Sequence, residues 1–398
     1  MTNIIIPGSK SISNRLLMIK AIGKLSFDIH NLSDADDTTL LQKALSDIQE
    51  KKTKISVGHA GTTFRFLCAY LSALENCNCI LEGSEQLHAR PVYPLVEALQ
   101  KLGANINYLG NYGYPPLQIR GKKLNGGYLE VDAQISSQFI SALMLISPLL
   151  NEAIHLKLKG KTVSASYIKL TEKLMHKFGV PVSRPEADEC LIEPKRYQYP
   201  ANNYVNESDW SGAGYFYAIM ALNKVQNITL NGLFKNSIQP DAVVCELFAG
   251  LGVETSFTEK GACIKKIPVT QSRLQYDFTL CPDLAQTMAV CCAGMGIPVH
   301  FTGLSTLIIK ETNRLLALQQ ELAKIGVNAS ITSDSISFEK TNVKITEPVT
   351  INTYHDHRMA MCFAPLAMLY PQIRIDEKEV VSKSFPGFWF EIDKIQKI

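Results

Sequence analysis

The chain has 398 residues, of which 46% are hydrophobic and 19% are charged, and its formal net charge is +3 at pH 7. Such a chain is longer than one hydrophobic core usually supports, which predicts two domains of roughly 200 residues each. The small net charge argues against a general nucleic-acid binder, because such proteins usually carry a larger basic excess. Any cationic site should therefore be local.

The N-terminal residues and the cysteines indicate the compartment. The opening stretch, MTNIIIPGSK, lacks the apolar core of a signal peptide, and no apolar run approaches membrane-spanning length. The ten cysteines include Cys77 and Cys79 two positions apart and adjacent Cys291 and Cys292, but no CxxC pair. We interpret them as reduced thiols that fill the core. We expect a cytoplasmic protein that binds neither a membrane nor a nucleic acid.

The first motif along the chain is PGSKSISNR, residues 7–15, between a short predicted strand, NIIIP, and an apolar run, LLMIKAI. It places Lys10, Ser11 and Arg15 where a helix should begin. Helix N-termini carry unpaired N–H groups and favour anions. Hydroxyl side chains are also common helix caps, so the motif alone fits either an anion site or a capped helix with solvated charges.

Helices rich in small residues recur along the chain, and a short alternating stretch such as CILEG or ITLNG follows each one. They are predicted to begin near Lys10, Thr62, Ser136, Ser211, Leu284 and His357. A second type of helix ends at a glycine, and these glycines lie 76, 73 and 74 residues apart. They are Gly103, Gly179, Gly252 and Gly326. Glycine just past a helix relieves left-handed strain, so these positions are interpreted as helix ends.

The recurrence predicts six units of helices and strands, grouped as two domains of three. The N-terminal strand has no unit of its own, and the last unit stops soon after FPGFWFEIDKI, so the two ends are expected to complete each other. The chain should then cross between domains near residues 8 and 207. The alternative is two unrelated α/β domains with chance similarity.

Cationic residues recur at the predicted helix starts of this nearly neutral chain. They are Lys10, Arg15, Arg65, Arg90, Lys310, Arg314, Arg358 and Lys383. Arg90 precedes Pro91, which is interpreted as the first residue of a helix. Each charge alone fits a solvated helix face, but together they predict a site for small ligands with several phosphate and carboxylate groups. His355 and His357 lie two positions apart and do not form a chelating face, and no nucleotide-binding glycine motif is present.

Nine motifs, in order, resemble those of the 5-enolpyruvylshikimate-3-phosphate synthase (3-phosphoshikimate 1-carboxyvinyltransferase) family. They are GSKSISNR, AGTTFR, ARP, SSQF, VSASYI, ESDWSGA, IKETNRL, DHRMAM and SKSFPGF, and they cover nearly the whole chain. The resemblance implies an α/β (α+β) fold of two domains, each with three repeated βαβαββ units and inward-facing helices. The active site would lie in the interdomain cleft. The expected domains are residues 1–8 with 208–398, and residues 9–207.

The resemblance also implies a reaction. The enzyme would transfer the enolpyruvyl group of phosphoenolpyruvate to the 5-hydroxyl of shikimate 3-phosphate and release phosphate, in chorismate and aromatic amino-acid biosynthesis. It implies no metal and no cofactor. The expected partners are these two small molecules, and we expect a monomer.

Site residues follow from the matching motifs. Shikimate 3-phosphate would be bound by Lys10, Ser11, Arg15, Ser136, Ser137, Gln138, Ser164, Asp283 and Lys310. The three serines at positions 136, 137 and 164 would contact its phosphate, with Tyr167 nearby. Phosphoenolpyruvate would be bound by Lys10, Gly61, Arg90, Gln138, Arg314, Arg358 and Lys383.

The implied chemistry needs two carboxyl groups, because the methylene carbon must gain a proton while the attacking hydroxyl loses one. Asp283, in CPDLAQT, is assigned as the base, and Glu311 as the proton donor. Lys10 would assist the transfer and stabilise the leaving phosphate. Without the context of the other motifs, a helix cap is the favoured interpretation of Asp283, because Pro-Asp stands just before a predicted helix.

The chain departs from the family pattern at five positions, which are His59, Phe66, Thr306, His355 and Gly387. Phe66 stands where the family has a proline after the arginine, so the resemblance does not decide the response to glyphosate. Thr306 stands at a usual asparagine position, which weakens its assignment to the shikimate ring. No departure removes a proposed charged or proton-transfer group.

Two alternative functions would use the same fold, and a third would use a related one. One is UDP-N-acetylglucosamine enolpyruvyltransferase, but that family carries a cysteine in the loop before ARP, where this chain reads EGSEQLHARP. The other is a non-catalytic paralogue that binds anions, against which the presence of Asp283, Glu311 and Lys10 argues. A related RNA-end-processing cyclase would need nucleotide motifs, which the chain lacks.

Overall fold

Helices and strands alternate along the residues described in this computed structural model, which are 2–132, 137–160 and 165–396. The helices are α1 (Lys10–Gly23), α2 (Asp36–Gln49), α3 (Gly61–Ala73), α4 (Glu85–His88), α5 (Tyr93–Lys101), α6 (Ser137–Leu145), α7 (Ala165–Lys177), α8 (Trp210–Leu222), α9 (Val244–Ala249), α10 (Ala285–Met295), α11 (Arg314–Lys324), α12 (His357–Leu369) and α13 (Phe388–Gln396).

Most strands are short, with three to six residues. They are β1 (Thr2–Ile5), β2 (Asp28–His30), β3 (Lys54–Ser56), β4 (Asn78–Glu82), β5 (Asn105–Tyr108), β6 (Leu117–Arg120), β7 (Gly127–Asp132), β8 (Ile154–Lys159), β9 (Glu189–Ile192), β10 (Asn203–Val205), β11 (Asn227–Asn231), β12 (Val253–Thr258), β13 (Gly261–Lys266), β14 (Leu274–Asp277), β15 (Val299–Thr302), β16 (Ser330–Ile331), β17 (Ile336–Phe338), β18 (Val349–Ile351) and β19 (Ile373–Ile375). The mixture of helices and sheets agrees with the predicted α/β class.

The chain divides into two compact units. The terminal unit contains the residues up to Ser9 together with those from Glu207 onward, and the central unit contains Lys10–Asn206. Within the terminal unit, β1 pairs in parallel with β11, so the N-terminal strand joins a sheet built from the second half of the chain.

Sheets of the two units share a strand pattern. In the terminal unit the four-stranded sheets have the orders β1-β11-β13-β12 and β14-β15-β17-β16, and β18 pairs with β19. In the central unit the orders are β3-β4-β6-β5, β7-β8-β9 and β10-β2. Each four-stranded sheet begins with a parallel pair and continues with antiparallel pairs.

Small-residue helices form the interior of each unit. In the terminal unit α8, α10 and α12 pack against one another, and in the central unit α3 packs against α6. All residues of α8 from Trp210 to Ala221 are buried, which is typical of a helix that is apolar on every face. Full burial of one large apolar side chain stabilises the fold by about 1.5–3 kcal/mol. Packing in the interior therefore holds these helices in place. The polar residues at their N-terminal ends are positioned with them.

The four predicted helix-terminating glycines have left-handed backbones, with φ of 96° at Gly103, 83° at Gly179, 89° at Gly252 and 81° at Gly326. This confirms their interpretation as helix ends. The prediction for Pro91 was wrong: α4 ends before it and α5 begins at Tyr93, with Pro94 in its first turn. Arg90 therefore lies in the connection between two helices.

No helix of the described residues is long and apolar enough to span a bilayer. The ten cysteines are all unpaired by disulfides, and Cys68, Cys190, Cys292 and several others are buried. Their burial agrees with the interpretation of these residues as core fillers.

Candidate functional site

In the terminal unit, seven charged residues converge from three helix starts and one turn. We call them the polar cluster, and they are Asp283, Lys310, Glu311, Arg314, Asp356, Arg358 and Lys383. Asp283 lies in a 3-10 turn, Pro282–Leu284, that leads into α10, and Lys310 and Glu311 lie just before α11. Asp356 caps α12, because its Oδ1 accepts a hydrogen bond from the backbone N–H of Arg358 at 2.9 Å. Lys383 ends a separate 3-10 turn, Lys378–Lys383.

Arg314 is the centre of the polar cluster, and its side chain is only 2% exposed. Its Nε donates to Oδ2 of Asp356 at 2.7 Å, and its Nη1 donates to Oδ1 of Asp283 at 3.0 Å. Its Nη2 donates to Oε2 of Glu311 at 2.7 Å and to Oδ1 of Asp356 at 3.2 Å. Burial disfavours a charge, yet these three carboxylates raise the pKa of Arg314 above its ordinary value. The guanidinium therefore stays charged and fixes the relative positions of the acids.

Asp283 contacts two further cations. Its Oδ2 accepts from Nη2 of Arg358 at 2.9 Å, and its Oδ1 lies 3.7 Å from Nζ of Lys310. Burial would raise the pKa of Asp283, but the positive charges of Arg358, Lys310 and Arg314 outweigh burial and hold that pKa well below its usual range. Asp283 is therefore ionised in this state and is a weak base until those charges are offset.

Glu311 completes the polar cluster through Lys383, whose Nζ lies 2.9 Å from its Oε1. The cluster then contains four cationic side chains against three carboxylates, which leaves one positive charge in excess. Burial also lowers the pKa of Lys310, although the negative charge of Asp283 opposes that change. An anionic ligand would balance the excess charge and compete with the carboxylates for the cations.

Two buried residues beside the polar cluster were not predicted from the sequence. Asp241 is 3% exposed, and burial, followed by the negative charge of Asp283, raises its pKa to about 7. Nη1 of Arg358 donates to the hydroxyl of Tyr215 at 3.3 Å. Asp356 was also missed as a site residue, although its place before a helix in DHRMAM is the usual signal of an N-cap.

In the central unit, Arg15 is buried and held by several oxygen atoms. Its Nε donates to Oγ1 of Thr171 at 2.7 Å, and its Nη2 donates to Oγ of Ser141 at 3.2 Å and to the carbonyl of Tyr167 at 3.3 Å. Its Nη1 donates to the carbonyl of Ser11 at 2.8 Å. Burial lowers the pKa of Arg15 to about 10, so it remains charged at neutral pH. No motif or spacing in the sequence pointed to Thr171 or Ser141.

Gly61 opens α3 between two arginines. A Cβ at this position would lie 2.6 Å from Nη1 of Arg65 and 2.9 Å from Nη1 of Arg90, so no larger residue fits without displacing a guanidinium. The arrangement brings Arg90 to the predicted Gly61 position, although the two residues are far apart in sequence. Two guanidinium groups beside a helix N-terminus form a favourable place for an anion.

The remaining predicted residues of the central unit have these positions. Nζ of Lys10, the first residue of α1, lies 3.8 Å from Oδ2 of the buried Asp37. Ser137 and Gln138 are the first two residues of α6, and Ser137 is buried. Ser136 and Ser164 lie outside the described residues. Within this unit the structure brings Gly61 and Arg90 together, and it brings Arg15 beside Ser11.

Four residues that depart from the family pattern have these surroundings. The Phe66 ring is buried in α3, and its centroid lies 5.5 Å from Cζ of Arg15, a cation–π distance. Nε2 of His59 lies 3.6 Å from Oδ2 of Asp36. Thr306 lies in the 3-10 turn before Lys310, and its buried Oγ1 has no hydrogen-bond partner among the described residues. A Cβ on Gly387 would lie 3.9 Å from the Phe385 ring.

Comparisons with known proteins identify the family. Residues 46–392 match the family model described as EPSP synthase (3-phosphoshikimate 1-carboxyvinyltransferase). A 3-phosphoshikimate 1-carboxyvinyltransferase of Bacteroides fragilis (strain YCH46) is 46% identical over 98% of this chain and 94% of its own length. One from Histophilus somni (strain 2336) is 32% identical over 98% of this chain and 96% of its own length.

A solved structure has a similar fold. The EPSP synthase of Acinetobacter baumannii aligns with a TM-score of 0.77 at 21% sequence identity, over 98% of this chain and 95% of that one. At this identity the likeness concerns the fold alone.

Proposed function

This chain belongs to the EPSP synthase (3-phosphoshikimate 1-carboxyvinyltransferase) family, and we propose that it transfers the enolpyruvyl group of phosphoenolpyruvate to the 5-hydroxyl of shikimate 3-phosphate, releasing phosphate. The reaction is a step of chorismate and aromatic amino-acid biosynthesis. The observation that carries the proposal is the pairing of two acids, Asp283 and Glu311, on the single buried guanidinium of Arg314. An addition that both gives and takes a proton needs two such groups in fixed positions.

The proposal assigns the substrates to residues of both units. Shikimate 3-phosphate would be held by Arg15 and the serines of the central unit, together with Asp283 and Lys310. Phosphoenolpyruvate would be held by Lys10, Gly61, Arg90, Gln138, Arg314, Arg358 and Lys383. Arginine pairs carboxylate and phosphate oxygens bidentately, which suits this donor. The positive excess of the polar cluster and the two guanidinium groups beside Gly61 support the assignment.

In the first step, Glu311 would become protonated once phosphoenolpyruvate displaces it from Arg314 and Lys383. It would then donate that proton to the methylene carbon of phosphoenolpyruvate, and positive charge would develop on the adjacent carbon. Asp283 would remove the proton of the 5-hydroxyl as its oxygen attacks that carbon. In the second step Glu311 would take a proton back from the methyl group as the carbon–oxygen bond to phosphate breaks. The departing phosphate would take the proton held by Asp283, and Lys10 would stabilise its charge. One phosphate is released for each enolpyruvyl group transferred.

Anion binding would also prepare Asp283 for its role. Within the cluster, Arg358, Lys310 and Arg314 hold the pKa of Asp283 well below its usual range despite its burial. A substrate carboxylate or phosphate that pairs with Arg314 and Arg358 would offset part of that positive charge. The pKa of Asp283 would then rise, so it would accept the hydroxyl proton only after the donor is bound.

We further propose that both units are built from three repeated βαβαββ units and that both contribute to one active site. The parallel–antiparallel pattern shared by the sheets β1-β11-β13-β12, β14-β15-β17-β16 and β3-β4-β6-β5 supports the repeat. The proposal includes a cytoplasmic monomer that uses no metal or cofactor and binds no nucleic acid. The net charge of +3 supports the last point.

The test is a coupled phosphate-release assay on the purified chain. We expect phosphate release only when shikimate 3-phosphate and phosphoenolpyruvate are both present, and none when UDP-N-acetylglucosamine replaces the acceptor. Asp283→Asn and Glu311→Gln should each lower kcat by about 10²–10⁴-fold. Glu339→Gln, which removes an exposed carboxylate paired with Arg273, is the matched control. Equal rates in the two acid variants and the control would refute the assigned roles.

A further inference from the structure

Two consecutive residues with left-handed backbones precede the polar cluster. Tyr354 has φ of 54° and His355 has φ of 55°, and they stand immediately before Asp356. Non-glycine residues adopt this conformation at a cost in free energy, and a pair persists only where the surroundings hold it. The segment that delivers Asp356 therefore needs an external restraint.

The restraint on one side is Glu321, a fully buried carboxylate near the C-terminal end of α11. Its Oε1 accepts from the Tyr354 hydroxyl at 2.6 Å, and its Oε2 accepts from the backbone N–H of Asn352 at 3.0 Å. The same hydroxyl also lies 2.9 Å from Oε1 of the neighbouring Gln320. Nζ of Lys324 lies 2.6 Å from Oε2 and offsets the buried charge. Partial burial and the hydrogen bond to Glu321 raise the pKa of Tyr354 to about 12, so the phenol remains a donor.

A second restraint lies on the other side of the segment. Oε2 of Glu377 accepts from Oγ1 of Thr353 at 3.0 Å and lies 3.0 Å from Nδ1 of His355. His355 is 73% exposed, so this contact is weaker than the buried one. The hydrogen bond of Tyr354 to the buried Glu321 is therefore the main restraint on the left-handed residues.

The same helix that carries Glu321 also carries Arg314. The two residues are seven positions apart, two helical turns, and so they lie on one face of α11. The segment is thus attached to α11 twice: Tyr354 bonds Glu321, and Asp356 bonds Arg314 through Oδ2 at 2.7 Å and Oδ1 at 3.2 Å. The bond between Tyr354 and Glu321 therefore determines where the carboxylate of Asp356 can lie.

We propose that Glu321 and Tyr354 are positioning residues for the transfer reaction. They hold the left-handed pair so that Asp356 orients Arg314, and Arg314 in turn orients Asp283 and Glu311. This inference rests on the proposed function, because it assigns the effect to that reaction.

The test compares Tyr354→Phe and Glu321→Gln with Tyr370→Phe. The control removes a tyrosine hydroxyl that donates to the carbonyl of Val343 at 3.5 Å, in the same unit. We expect a roughly tenfold fall in kcat/KM for phosphoenolpyruvate in both test variants, since the hydrogen bond to the buried carboxylate is charge-assisted. The KM for shikimate 3-phosphate and the activity of the control should change less than twofold. Urea unfolding at the assay temperature verifies that each variant is folded.

A rescue variant separates positioning from general destabilisation. Glycine adopts left-handed φ without strain, so Tyr354→Phe combined with His355→Gly should recover most of the lost kcat/KM. The positioning role is overturned if the double variant is as slow as Tyr354→Phe, or if Tyr354→Phe matches Tyr370→Phe.

A readout without substrates keeps the inference separate from the proposed function. In ¹⁵N-arginine spectra, the Nε–H of Arg314, assigned by its loss in Arg314→Lys, should be protected from exchange in the wild type. We expect Tyr354→Phe to lose that protection and the double variant to regain it. Unchanged protection in Tyr354→Phe overturns the inference, and absence of phosphate release by the wild type overturns only the proposed function.

Discussion

Nη2 of Arg358 lies 2.9 Å from Oδ2 of Asp283, and this pair joins the start of α12 to the turn before α10. Its consequence is electrostatic as well as geometric. The carboxylate is buried, yet its pKa stays well below the usual range because Lys310 and Arg314 add their charge to that of Arg358. Asp283 is therefore an ionised acid, and its basicity depends on what its cationic neighbours bind.

Asp283→Asn should reduce stability in a pH-dependent way. Because the folded-state pKa of Asp283 is lowered, its ionisation stabilises the fold above the unfolded-state pKa of about 3.9, and that contribution is lost as pH falls below it. Removing one partner of a buried charge cluster costs about 3–5 kcal/mol. In urea unfolding, the free energy of unfolding of the wild type should exceed that of Asp283→Asn by a constant amount from pH 5 to 8. This difference should shrink below about pH 4. An advantage that is the same at pH 3 and pH 7 would contradict the assignment.

Asp241→Asn should have the opposite pH dependence. Burial and the charge of Asp283 raise the pKa of Asp241 to about 7. A raised acid pKa means that stability is fully present below the unfolded-state value, about 3.9, and is lost as pH rises to the folded-state value. The variant cannot ionise, so it should gain on the order of 4 kcal/mol relative to the wild type between pH 4 and pH 8.

The substitution of Asp241 also carries a packing cost that does not depend on pH. Comparing the change in the free energy of unfolding at pH 4 with that at pH 8 cancels this cost. Asp393→Asn, which removes an exposed carboxylate of α13, controls for the loss of one negative charge. If the Asp241→Asn gain is absent, the group is not ionising in this range within the folded state.

The helix frame was predictable because each signal was local. Glycine commonly follows a helix that ends in a left-handed residue, and Gly103, Gly179, Gly252 and Gly326 were found from that tendency. Runs of small apolar residues likewise marked α8 and α10, which are buried on every face. Pro91 failed as a signal because α5 has its own proline, Pro94, three residues later.

The hydrogen-bond partners of the site residues could not be predicted from local sequence patterns. Asp356 meets Arg314 across 42 positions, and Thr171 meets Arg15 across 156. Nothing in the spacing of either pair specifies contact, since the contacts arise when separate helices pack. Lys310, Glu311 and Arg314 were correctly placed near one helix start, but only the fold shows that one guanidinium joins Glu311 to Asp283.

Asp356→Asn should destabilise the terminal unit far more than the loss of an exposed ion pair would. The carboxylate is fully buried and pairs with Nε of Arg314 at 2.7 Å, so its neutralisation leaves a buried guanidinium short of charge. We expect a loss of about 3–5 kcal/mol in urea unfolding at pH 7. Glu339→Gln removes an ion pair of similar length, 2.7 Å to Arg273, but at the surface, and should cost no more than about 1 kcal/mol. Equal losses in the two variants would contradict this account of Arg314.

Thr171→Val should weaken the binding of shikimate 3-phosphate and leave the rate of the chemical step unchanged. The threonine Oγ1 accepts from Nε of Arg15 at 2.7 Å, and valine keeps its shape without the oxygen. A hydrogen bond to a charged group contributes about 1.5–3 kcal/mol. If Arg15 binds shikimate 3-phosphate, the KM for that substrate should rise at least about tenfold, with kcat within about twofold because the polar cluster is untouched.

The matched control for Thr171→Val is Thr39→Val. Thr39 is an exposed threonine of α2 whose Oγ1 donates to the carbonyl of Asp36 at 3.1 Å. Initial-rate kinetics with each substrate varied in turn separate the two constants. A fall in kcat with no change in the KM for shikimate 3-phosphate would place the role of Arg15 in the chemical step, and an effect no larger than that of the control would remove Arg15 from acceptor binding.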